Sequence, residues 1–423
     1  SDASRLWGAA RILIRRTGAS PPEPARPRAS PPPASRMITI LRNADLYIPE
    51  SVGQQSLLVG GGRVLWMGDD LPALDPMLIE EEIDLQGARV IPGLVDGHAH
   101  TTGGGGEDGA ETRVPAPALS SFTRAGVTSV IGLLGTDSET RSMAELLAET
   151  RALRAGGLNA WCYTGGYHLP GCTLTGSFRG DLVHLDSVIG IGELAISDFR
   201  SSQPTLDELL RVASEAQVGG MIAGKAGVLH LHLGDGERGL ELVRQALGQS
   251  ELPPRVFHPT HVNRQPALFE EALELAGYGC AIDVTCFPVD DDDPAIDAAE
   301  AVQRYLATDL DPSLLTLSSD SGGCLPTFDE QGQMTHMGVA TSMTMADVLA
   351  RLLQGPLPLE QVLPAFTSNP ARLLKLAGRG KLKTGGPADL VVLGPDGLPR
   401  DVLVNGSWHL RDGQSLRRGP FEN

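Results

Sequence analysis

The chain has 423 residues, of which 41% are hydrophobic, and carries a formal net charge of −18 at pH 7. The length exceeds one average domain and suits a (β/α)8 barrel with a small appended domain. The negative charge argues against nucleic acid or an anionic membrane as a partner, because both are polyanions. The sequence contains no apolar run long enough to cross a bilayer, so we expect a soluble protein.

Cysteine and lysine are both scarce. The five cysteines form no Cys-x-x-Cys pair. An odd number of cysteines in a large enzyme indicates reduced thiols, and we therefore expect a cytoplasmic protein. The lysines are Lys225, Lys375, Lys381 and Lys383.

The first 36 residues differ from the rest of the chain. The stretch Ser20–Pro33 is rich in proline and has no apolar periodicity, which is typical of a flexible or polyproline segment. The preceding stretch, Trp7–Arg16, contains arginine but lacks the uninterrupted apolar region of a secretory signal. We expect residues 1–36 to be a flexible extension and the fold to begin near Met37.

Short strands and turns occupy both ends of the remaining chain. This pattern predicts a small β-sandwich domain built from both ends, residues 37–94 and 379–423. Between them, at 95–378, apolar strands alternate with helical patterns such as 143–155 and 205–216, which predicts a TIM barrel in an α/β protein. The predicted strands of the small domain are 38–41, 57–59, 64–67, 82–85, 388–393 and 401–406.

Two histidines, His98 and His100, close an apolar run that begins at Arg89. Alternate residues of a strand face the same side, so both imidazoles can reach one ion. An apolar strand that ends in polar residues is typical of a parallel barrel strand where it meets an active site. The alternative is a pair of polar residues in a loop.

Further candidate metal ligands lie at the ends of later apolar runs. Side chains from the carboxyl ends of several barrel strands converge on one pocket. Imidazoles and carboxylates suit Zn²⁺, and also Mn²⁺, Co²⁺ or Ni²⁺ by the same ligand chemistry. The candidates are Glu193, His232, His261 and Asp320.

Longer blocks of the chain resemble the isoaspartyl (β-aspartyl) dipeptidase family of the amidohydrolase superfamily, from about Ile38 to Phe421. The resemblance implies hydrolysis of the β-aspartyl amide bond of dipeptides by a hydroxide that bridges two divalent metal ions. It also implies a homo-oligomer, which in this family is an octamer. The matching blocks are Gly103–Glu107, Gly126–Val130, Gly132–Asp137, Leu174–Ser177, Ala195–Asp198, Pro259–Arg264 and Leu317–Asp320.

The resemblance assigns the ligands to two metal ions. One ion is held by His98, His100 and Asp320, and the other by His232 and His261. His230 lies two residues before His232 and stays open as an alternative, because alternation places both on one face. We favour His232, since Leu-Gly-Asp follows it as in the family.

The bridging ligand departs from the family pattern. The family usually bridges the two ions with a CO₂-modified lysine, whereas the corresponding position here holds Glu193. Glutamate supplies the same carboxylate group closer to the backbone. We therefore expect a bulge around Gly190–Gly192 that brings the strand nearer to the ions. The alternative is a mononuclear site with Glu193 behind the ligands.

The resemblance also implies catalytic and substrate-binding roles. Asp320 takes the proton of the nucleophile and passes it to the leaving amine, and Tyr167 hydrogen-bonds the developing oxyanion. A β-aspartyl dipeptide carries one ammonium and two carboxylates. Glu107 suits the ammonium, while Arg200 and Arg264 suit the carboxylates.

Three further features concern substrate contacts. Thr136 is an additional hydrogen-bond donor. Cys324 stands where the family has serine, and a thiol is the weaker donor. The acidic run Asp290–Asp293 would favour a cationic leaving residue, arginine or lysine, if it overhangs the pocket.

Three other functions stay open. A cyclic-amide hydrolase of the dihydroorotase or hydantoinase type needs no residue for a free α-ammonium, so it leaves Glu107 unexplained. An N-acyl-amino-acid hydrolase is disfavoured for the same reason. A non-catalytic scaffold on the same fold is disfavoured because all the ligands are present.

Overall fold

The computed structural model describes residues 37–289, 294–328 and 334–422. The predictions for the extension at 1–36 and for the acidic run Asp290–Asp293 lie outside the described residues. No helix in the described ranges is long and apolar enough to cross a membrane.

The described residues form nineteen strands and ten α-helices, which alternate between β7 and β12. The strands are β1 (Ile38–Tyr47), β2 (Ser51–Gly60), β3 (Arg63–Gly68), β4 (Ile79–Asp84), β5 (Arg89–Pro92), β6 (Leu94–Ala99), β7 (Val127–Gly132), β8 (Asn159–Thr164), β9 (Val188–Ile196), β10 (Val228–Leu233), β11 (Phe257–Thr260), β12 (Ile282–Thr285), β13 (Leu315–Ser318), β14 (Cys324–Phe328), β15 (Met334–Val339), β16 (Leu390–Leu393), β17 (Pro399–Val404), β18 (Ser407–Arg411) and β19 (Gln414–Ser415). The helices are α1 (Leu119–Arg124), α2 (Met143–Ala155), α3 (Phe178–His184), α4 (Leu206–Ala223), α5 (Glu241–Gln249), α6 (Pro266–Gly277), α7 (Ala298–Leu306), α8 (Met343–Leu353), α9 (Leu359–Phe366) and α10 (Ser368–Leu373).

Eight parallel strands, β6 to β13, close into a barrel. Strands β6 to β11 form one hydrogen-bonded sheet in chain order, and β12 pairs in parallel with β13. Strand β12 packs beside β11, and β13 packs beside β6. The ring closes just beyond β13, where Asp320 N donates to His98 O and His100 N donates to Ser321 O. The predicted TIM barrel is confirmed.

The barrel strands are buried along their length because helices cover their outer face and side chains fill the interior. Helix α2 has the predicted bounds. Helix α4 begins after a capping box, in which the Thr205 hydroxyl accepts from Glu208 N and the Glu208 carboxylate accepts from Thr205 N. It continues past the predicted end at Ala216, because Gly219 and Gly220 give its last turns close packing against the neighbouring backbone.

The second unit is one mixed sheet of nine strands taken from both ends of the described chain. Strand β1 pairs with β2 on one side and with β4 and β5 on the other, and β16 joins β5. These strands enclose a second core that includes Leu41, Val90, Leu390 and Leu403. Strand β1 runs beyond the predicted end at Leu41, because a register shift there accommodates the polar residues that follow.

Candidate active site

The predicted metal ligands meet at the carboxyl ends of the barrel strands, and all of them are buried. Two of them, His261 and Asp320, have φ angles of 60° and 55°. Residues other than glycine seldom adopt this left-handed conformation, and it clusters at functional sites. The ligands lie as follows: His98 and His100 at the end of β6, Glu193 in β9, His232 in β10, His261 after β11 and Asp320 after β13.

Asp320 faces the histidine pair. Its Oδ1 atom lies 3.3 Å from His98 Nε2 and 3.1 Å from His100 Nε2. These three residues form a group whose ligand atoms can hold a metal ion. The alternation predicted for His98 and His100 therefore does bring both imidazoles to one point.

Glu193 lies between the two sets of histidines. Its Oε1 atom is 3.4 Å from His100 Nε2. Its Oε2 atom is 3.1 Å from His232 Nδ1 and 3.6 Å from both His261 Nε2 and His98 Nε2. Oε1 thus faces His100, whereas Oε2 faces the other three histidines.

The hydrogen bonding of this cluster indicates a cation site. Among the described residues, His98 Nε2, Glu193 Oε1 and Asp320 Oδ1 are buried and have no hydrogen-bond partner. Buried polar atoms are almost always paired, and two buried carboxylates need compensating positive charge. Imidazole nitrogens and carboxylate oxygens are ligands for divalent first-row metals. The residues present therefore fit a divalent metal ion.

The two buried acids differ in proton affinity. Burial raises the pKa of Glu193 well above its usual value, and the charge of Asp320 raises it further. Burial also acts to raise the pKa of Asp320, but the adjacent imidazoles of His100 and His98 outweigh it and hold that pKa well below the usual value. Like charges in one buried site push the two pKa values apart.

The second pair of histidines is neutral at pH 7. Burial lowers the pKa of His232 to about 3, although its hydrogen bond with Asp198 acts in the opposite direction. Burial also lowers the pKa of His261 well below its usual value, and the neighbouring His232 lowers it further. Neutral imidazole is the form that binds a metal ion.

The predicted bulge in β9 is confirmed. Ile191 pairs with Leu229 and Leu194 pairs with Leu231, so Gly192 and Glu193 together lie opposite the single residue His230. A Cβ atom on Gly192 would lie 2.8 Å from His230 Cβ. Glycine at this position allows the close approach that brings Glu193 to the cluster.

No lysine takes the bridging position among the described residues. The Lys225 ammonium donates to the carbonyls of Leu182 and Leu185, at 2.7 and 2.6 Å. The Lys375 ammonium donates to Lys225 O at 2.9 Å. Both side chains bond to main-chain oxygens away from the histidines.

His230 and His232 have different surroundings. His230 Nε2 lies 2.9 Å from His98 Nδ1, and His230 Nδ1 lies 3.0 Å from His258 Nδ1. Both nitrogens of His230 are therefore occupied by other histidines. His232 Nε2 pairs with Asp198 Oδ2 at 3.0 Å, which leaves His232 Nδ1 facing Glu193. This geometry favours His232 over His230 as a ligand.

The predicted substrate-facing residues line one open cavity beside the cluster, with an empty volume of about 350 Å³. Its walls also include His100, His232 and Asp320. The substrate-facing residues in its wall are Glu107, Thr136, Tyr167, Arg200, Arg264 and Cys324.

Glu107 is the centre of a polar network in this cavity. Its Oε1 atom accepts from Thr136 Oγ1 at 3.1 Å and from Arg200 Nη1 at 3.2 Å. Its Oε2 atom accepts from the Cys324 thiol at 2.8 Å. The buried Nε of Arg264 has no hydrogen-bond partner within the described chain.

Asp198 was missed as a site residue, although it ends one of the matching sequence blocks. Its Oδ2 atom accepts from Arg200 Nη2 at 2.7 Å and pairs with His232 Nε2. These hydrogen bonds outweigh the effect of burial and hold the pKa of Asp198 far below its usual value. Asp198 thus orients the imidazole of His232 and the guanidinium of Arg200. Its spacing two residues before Arg200 was the available signal.

Comparison with known proteins places this geometry in a family. No model of a known protein family matches the chain. The structure is similar to the crystal structure of β-aspartyl dipeptidase from the thermophilic, keratin-degrading Fervidobacterium islandicum AW-1 in complex with β-Asp-Leu dipeptide. The two share 39% sequence identity and a TM-score of 0.82, over 90% of this chain and 98% of that chain. The chain belongs to the β-aspartyl dipeptidase family of the amidohydrolase superfamily.

The family predicted from the sequence blocks is therefore confirmed. Two more distant similarities extend over most of the chain. The dihydropyrimidinase of Brevibacillus agri NCHU1002 has the same fold, with a TM-score of 0.63 and 16% identity over 90% of this chain and 97% of that chain. A deacetylase of Agrobacterium fabrum (strain C58) is 24% identical over 362 residues, which are 81% of this chain and 79% of the relative.

Proposed function

We propose that this protein hydrolyses the β-aspartyl amide bond of dipeptides with two divalent metal ions. The observation that carries the proposal is the charge pattern of the cavity, where one acid, Glu107, and two bases, Arg200 and Arg264, surround the candidate ligands. This pattern complements the one ammonium and two carboxylates of a β-aspartyl dipeptide. The bound β-Asp-Leu of the Fervidobacterium enzyme, at 39% identity, supports the same substrate class.

The proposed metal ligands are His98, His100, Glu193, His232, His261 and Asp320. We propose that Glu193 bridges the two ions, because its two oxygens face different histidines. The nitrogen and oxygen ligand set suits Zn²⁺. When bound, such ions lower the pKa of coordinated water towards neutrality and polarise the scissile carbonyl.

Asp320 and Tyr167 then transfer the proton and stabilise the developing negative charge. Asp320, ionised at the mouth of the cluster, accepts the proton of the attacking water and passes it to the leaving amine. Burial raises the pKa of Tyr167 well above its usual value, and the charge of Glu193 raises it further, so its hydroxyl stays protonated. That hydroxyl lies 2.8 Å from His232 Nδ1 and can donate to the developing oxyanion.

We propose that substrate binding replaces the ion pair between Glu107 and Arg200 with ion pairs to the substrate. Glu107 and Arg200 are paired at 3.2 Å, with Thr136 and Cys324 also donating to the Glu107 carboxylate. The ammonium of a β-aspartyl residue replaces Arg200 at Glu107, and a substrate carboxylate replaces Glu107 at Arg200. Arg264, with its unpartnered Nε, binds the other carboxylate.

Three experiments test the proposal. Metal-loaded enzyme is assayed with β-Asp-Leu, β-Asp-Arg, dihydroorotate and an N-acetyl amino acid, with and without bicarbonate. Failure to cleave either β-aspartyl dipeptide overturns the proposal, and a requirement for bicarbonate overturns the Glu193 bridge. A Glu107→Gln variant separates the alternatives, because a cyclic-amide or N-acyl-amino-acid hydrolase keeps its activity without that carboxylate.

Metal stoichiometry tests the remaining parts. Two ions per chain by elemental analysis agree with the binuclear site, whereas one ion supports a mononuclear site with Glu193 behind the ligands. Less than one ion per chain at saturating metal supports the alternative of a non-catalytic scaffold.

We also propose that the protein is a cytoplasmic homo-oligomer. The cytoplasmic location is supported by the five cysteines, which are free thiols, and the octamer rests on the sequence resemblance alone. Light scattering measures the assembly directly.

A further inference from the structure

Three histidines form a continuous hydrogen-bonded chain beneath the cluster. His98 Nδ1 lies 2.9 Å from His230 Nε2, and His230 Nδ1 lies 3.0 Å from His258 Nδ1. All three side chains are fully buried or nearly so. The mechanism proposed above uses only His98, so the other two histidines have no assigned role.

The chain continues to a buried carboxylate on the far side. His258 Nε2 lies 3.0 Å from Thr316 Oγ1, and the Thr316 hydroxyl donates to Asp283 Oδ1 at 2.6 Å. The other oxygen of Asp283 accepts from the hydroxyls of Thr260 and Ser318, at 2.8 and 2.5 Å. Asp283 is thus an acceptor surrounded by three hydroxyl donors.

Counting protons gives this chain one direction. The single hydrogen of the Thr316 hydroxyl is donated to Asp283 Oδ1 at 2.6 Å, with Ile282 O a second acceptor at 3.2 Å, so Thr316 Oγ1 accepts the N–H of His258 Nε2. A neutral imidazole has one N–H and one lone pair, so His258 Nδ1 accepts from His230 Nδ1. The same step places the lone pair of His230 on Nε2, where it accepts from His98 Nδ1.

The two inner histidines are enclosed by the barrel interior. His230 is fully buried and His258 is 1% exposed, and each of their ring nitrogens has a partner within hydrogen-bond distance. The ring of Tyr163 stacks on His230, with centroids 5.1 Å apart, and fixes its plane.

We propose that His230, His258 and Thr316 are positioning residues that transmit the acceptor state of Asp283 to His98. They hold the proton of His98 on Nδ1 and so present the bare Nε2 to Glu193 and Asp320. A hydrogen-bond partner on the second nitrogen of a metal-binding histidine orients the ring and typically changes metal affinity by about 10–100-fold when lost. The inference rests on the metal-binding part of the proposed function. Here the hydroxyl of Thr316 is separated from His98 by the imidazoles of His230 and His258.

Removal of the Thr316 hydroxyl reverses the chain. In a Thr316→Val variant, His258 Nε2–H has no acceptor, so His258 is driven to carry its proton on Nδ1. That proton faces the N–H of His230, which must also move to the opposite nitrogen, and the change ends on His98. His98 then carries its hydrogen on Nε2, where it blocks the ligand position.

The first test locates the protons directly in the unaltered protein. Neutron diffraction from crystals of perdeuterated, metal-free protein is expected to show N–D on Nδ1 of His98 and His230 and on Nε2 of His258. A deuteron on Nε2 of His230, or on both of its nitrogens, overturns the proposal. This measurement does not depend on catalysis or on metal binding.

The second test measures affinity for Zn²⁺ by competition with a chromophoric chelator, together with the visible spectrum of the Co²⁺-loaded protein. Thr316→Val is expected to lose about 10–100-fold in affinity and to alter the Co²⁺ spectrum, whereas Thr316→Ser keeps both. KM for β-Asp-Leu is expected to change less than kcat, because Glu107, Arg200 and Arg264 are untouched. The matched control is Thr150→Val, which removes a buried hydroxyl that donates to Leu146 O in α2.

The outcomes separate this inference from the proposed function. Folded Thr316→Val protein with unchanged Zn²⁺ affinity and Co²⁺ spectrum overturns the inference, as does an equal loss in Thr150→Val. If the Thr316→Val variant does not fold, the proton positions in the neutron structure of the unaltered protein decide whether the inference is correct. Unaltered protein that binds no divalent ion contradicts the proposed function, and the neutron structure still decides the direction of the histidine chain.

Discussion

The close approach of β9 to β10 at Gly192 is the feature most open to test. In Gly192→Ala, the new Cβ would lie 2.8 Å from His230 Cβ and 3.0 Å from His230 O. Ordinary contacts of this kind begin near 3.4 Å, so the two strands must separate by about half an ångström. Neither neighbour is the end of a flexible side chain, so neither can move away without the backbone.

Two consequences follow from that separation. Overpacking of a well-packed interior typically costs about 1–3 kcal/mol, and we expect a loss of unfolding free energy in that range. Glu193 is the next residue, and functional groups must be held within about 0.5 Å of their working geometry. Because a misplacement of about 1 Å can cost about 100-fold in rate, we expect kcat for β-Asp-Leu to fall by at least about 10-fold.

The assays are urea unfolding, metal content per chain and steady-state kinetics on one preparation. The control is Gly248→Ala in helix α5, where a new Cβ meets no atom within 4 Å. Because alanine favours a helix over glycine, this control is expected to gain about 0.4–1 kcal/mol and to keep full activity. Gly192→Ala protein with unaltered stability, metal content and kcat would refute the argument that this glycine brings Glu193 to the cluster.

Three further predictions concern other parts of the molecule. Burial lowers the pKa of His409 to about 4, so the unfolded chain binds its proton more tightly and stability falls as the pH drops from 6.5 towards 4. Between pH 7.5 and pH 5, the free energy of unfolding of the His409→Gln variant should therefore fall by about 2 kcal/mol less than that of the unaltered protein, as measured by urea unfolding of metal-free samples. Equal decreases in the two proteins would contradict this. Arg141 donates to the carbonyls of Thr102, Gly104 and Val114 in the loop that leads to Glu107, so Arg141→Lys should cost about 1–3 kcal/mol in urea unfolding and raise KM for β-Asp-Leu. Removal of metal by a chelator should lower the melting temperature in calorimetry. Adding Zn²⁺ at 100 times its Kd should restore it and stabilise the folded protein by about 2.7 kcal/mol. An unchanged melting temperature would contradict a metal site between the buried carboxylates.

Local patterns in the sequence predicted much of the site. The alternation of His98 and His100 follows from strand geometry, and the barrel places the ends of its strands at one edge. The family resemblance implied a lysine where this chain has Glu193, and that difference led to the predicted bulge, which the pairing of β9 with β10 confirms. The histidine alternation depends on neighbours within a few residues, whereas the bulge prediction depends on the resemblance.

The sequence did not predict contacts between distant segments. Cys324 is hydrogen-bonded to Glu107, 217 residues away in the sequence, and His98 is hydrogen-bonded to His230, 132 residues away. The sequence pattern gives the face of a strand but not the layer of the barrel, so His230 stayed an alternative ligand. His258 was not considered at all, because its layer depends on how β11 is staggered against β10.

The bulge at Gly192 and Glu193 also has an evolutionary consequence. A lysine side chain at residue 193 would need a strand set further back, and a strand without the extra residue would hold a glutamate too far from the histidines. The residue and the backbone insertion therefore form a coupled pair, in which either change alone is expected to be deleterious. Natural sequences that exchange glutamate for lysine at this position should change the length of this strand in the same step.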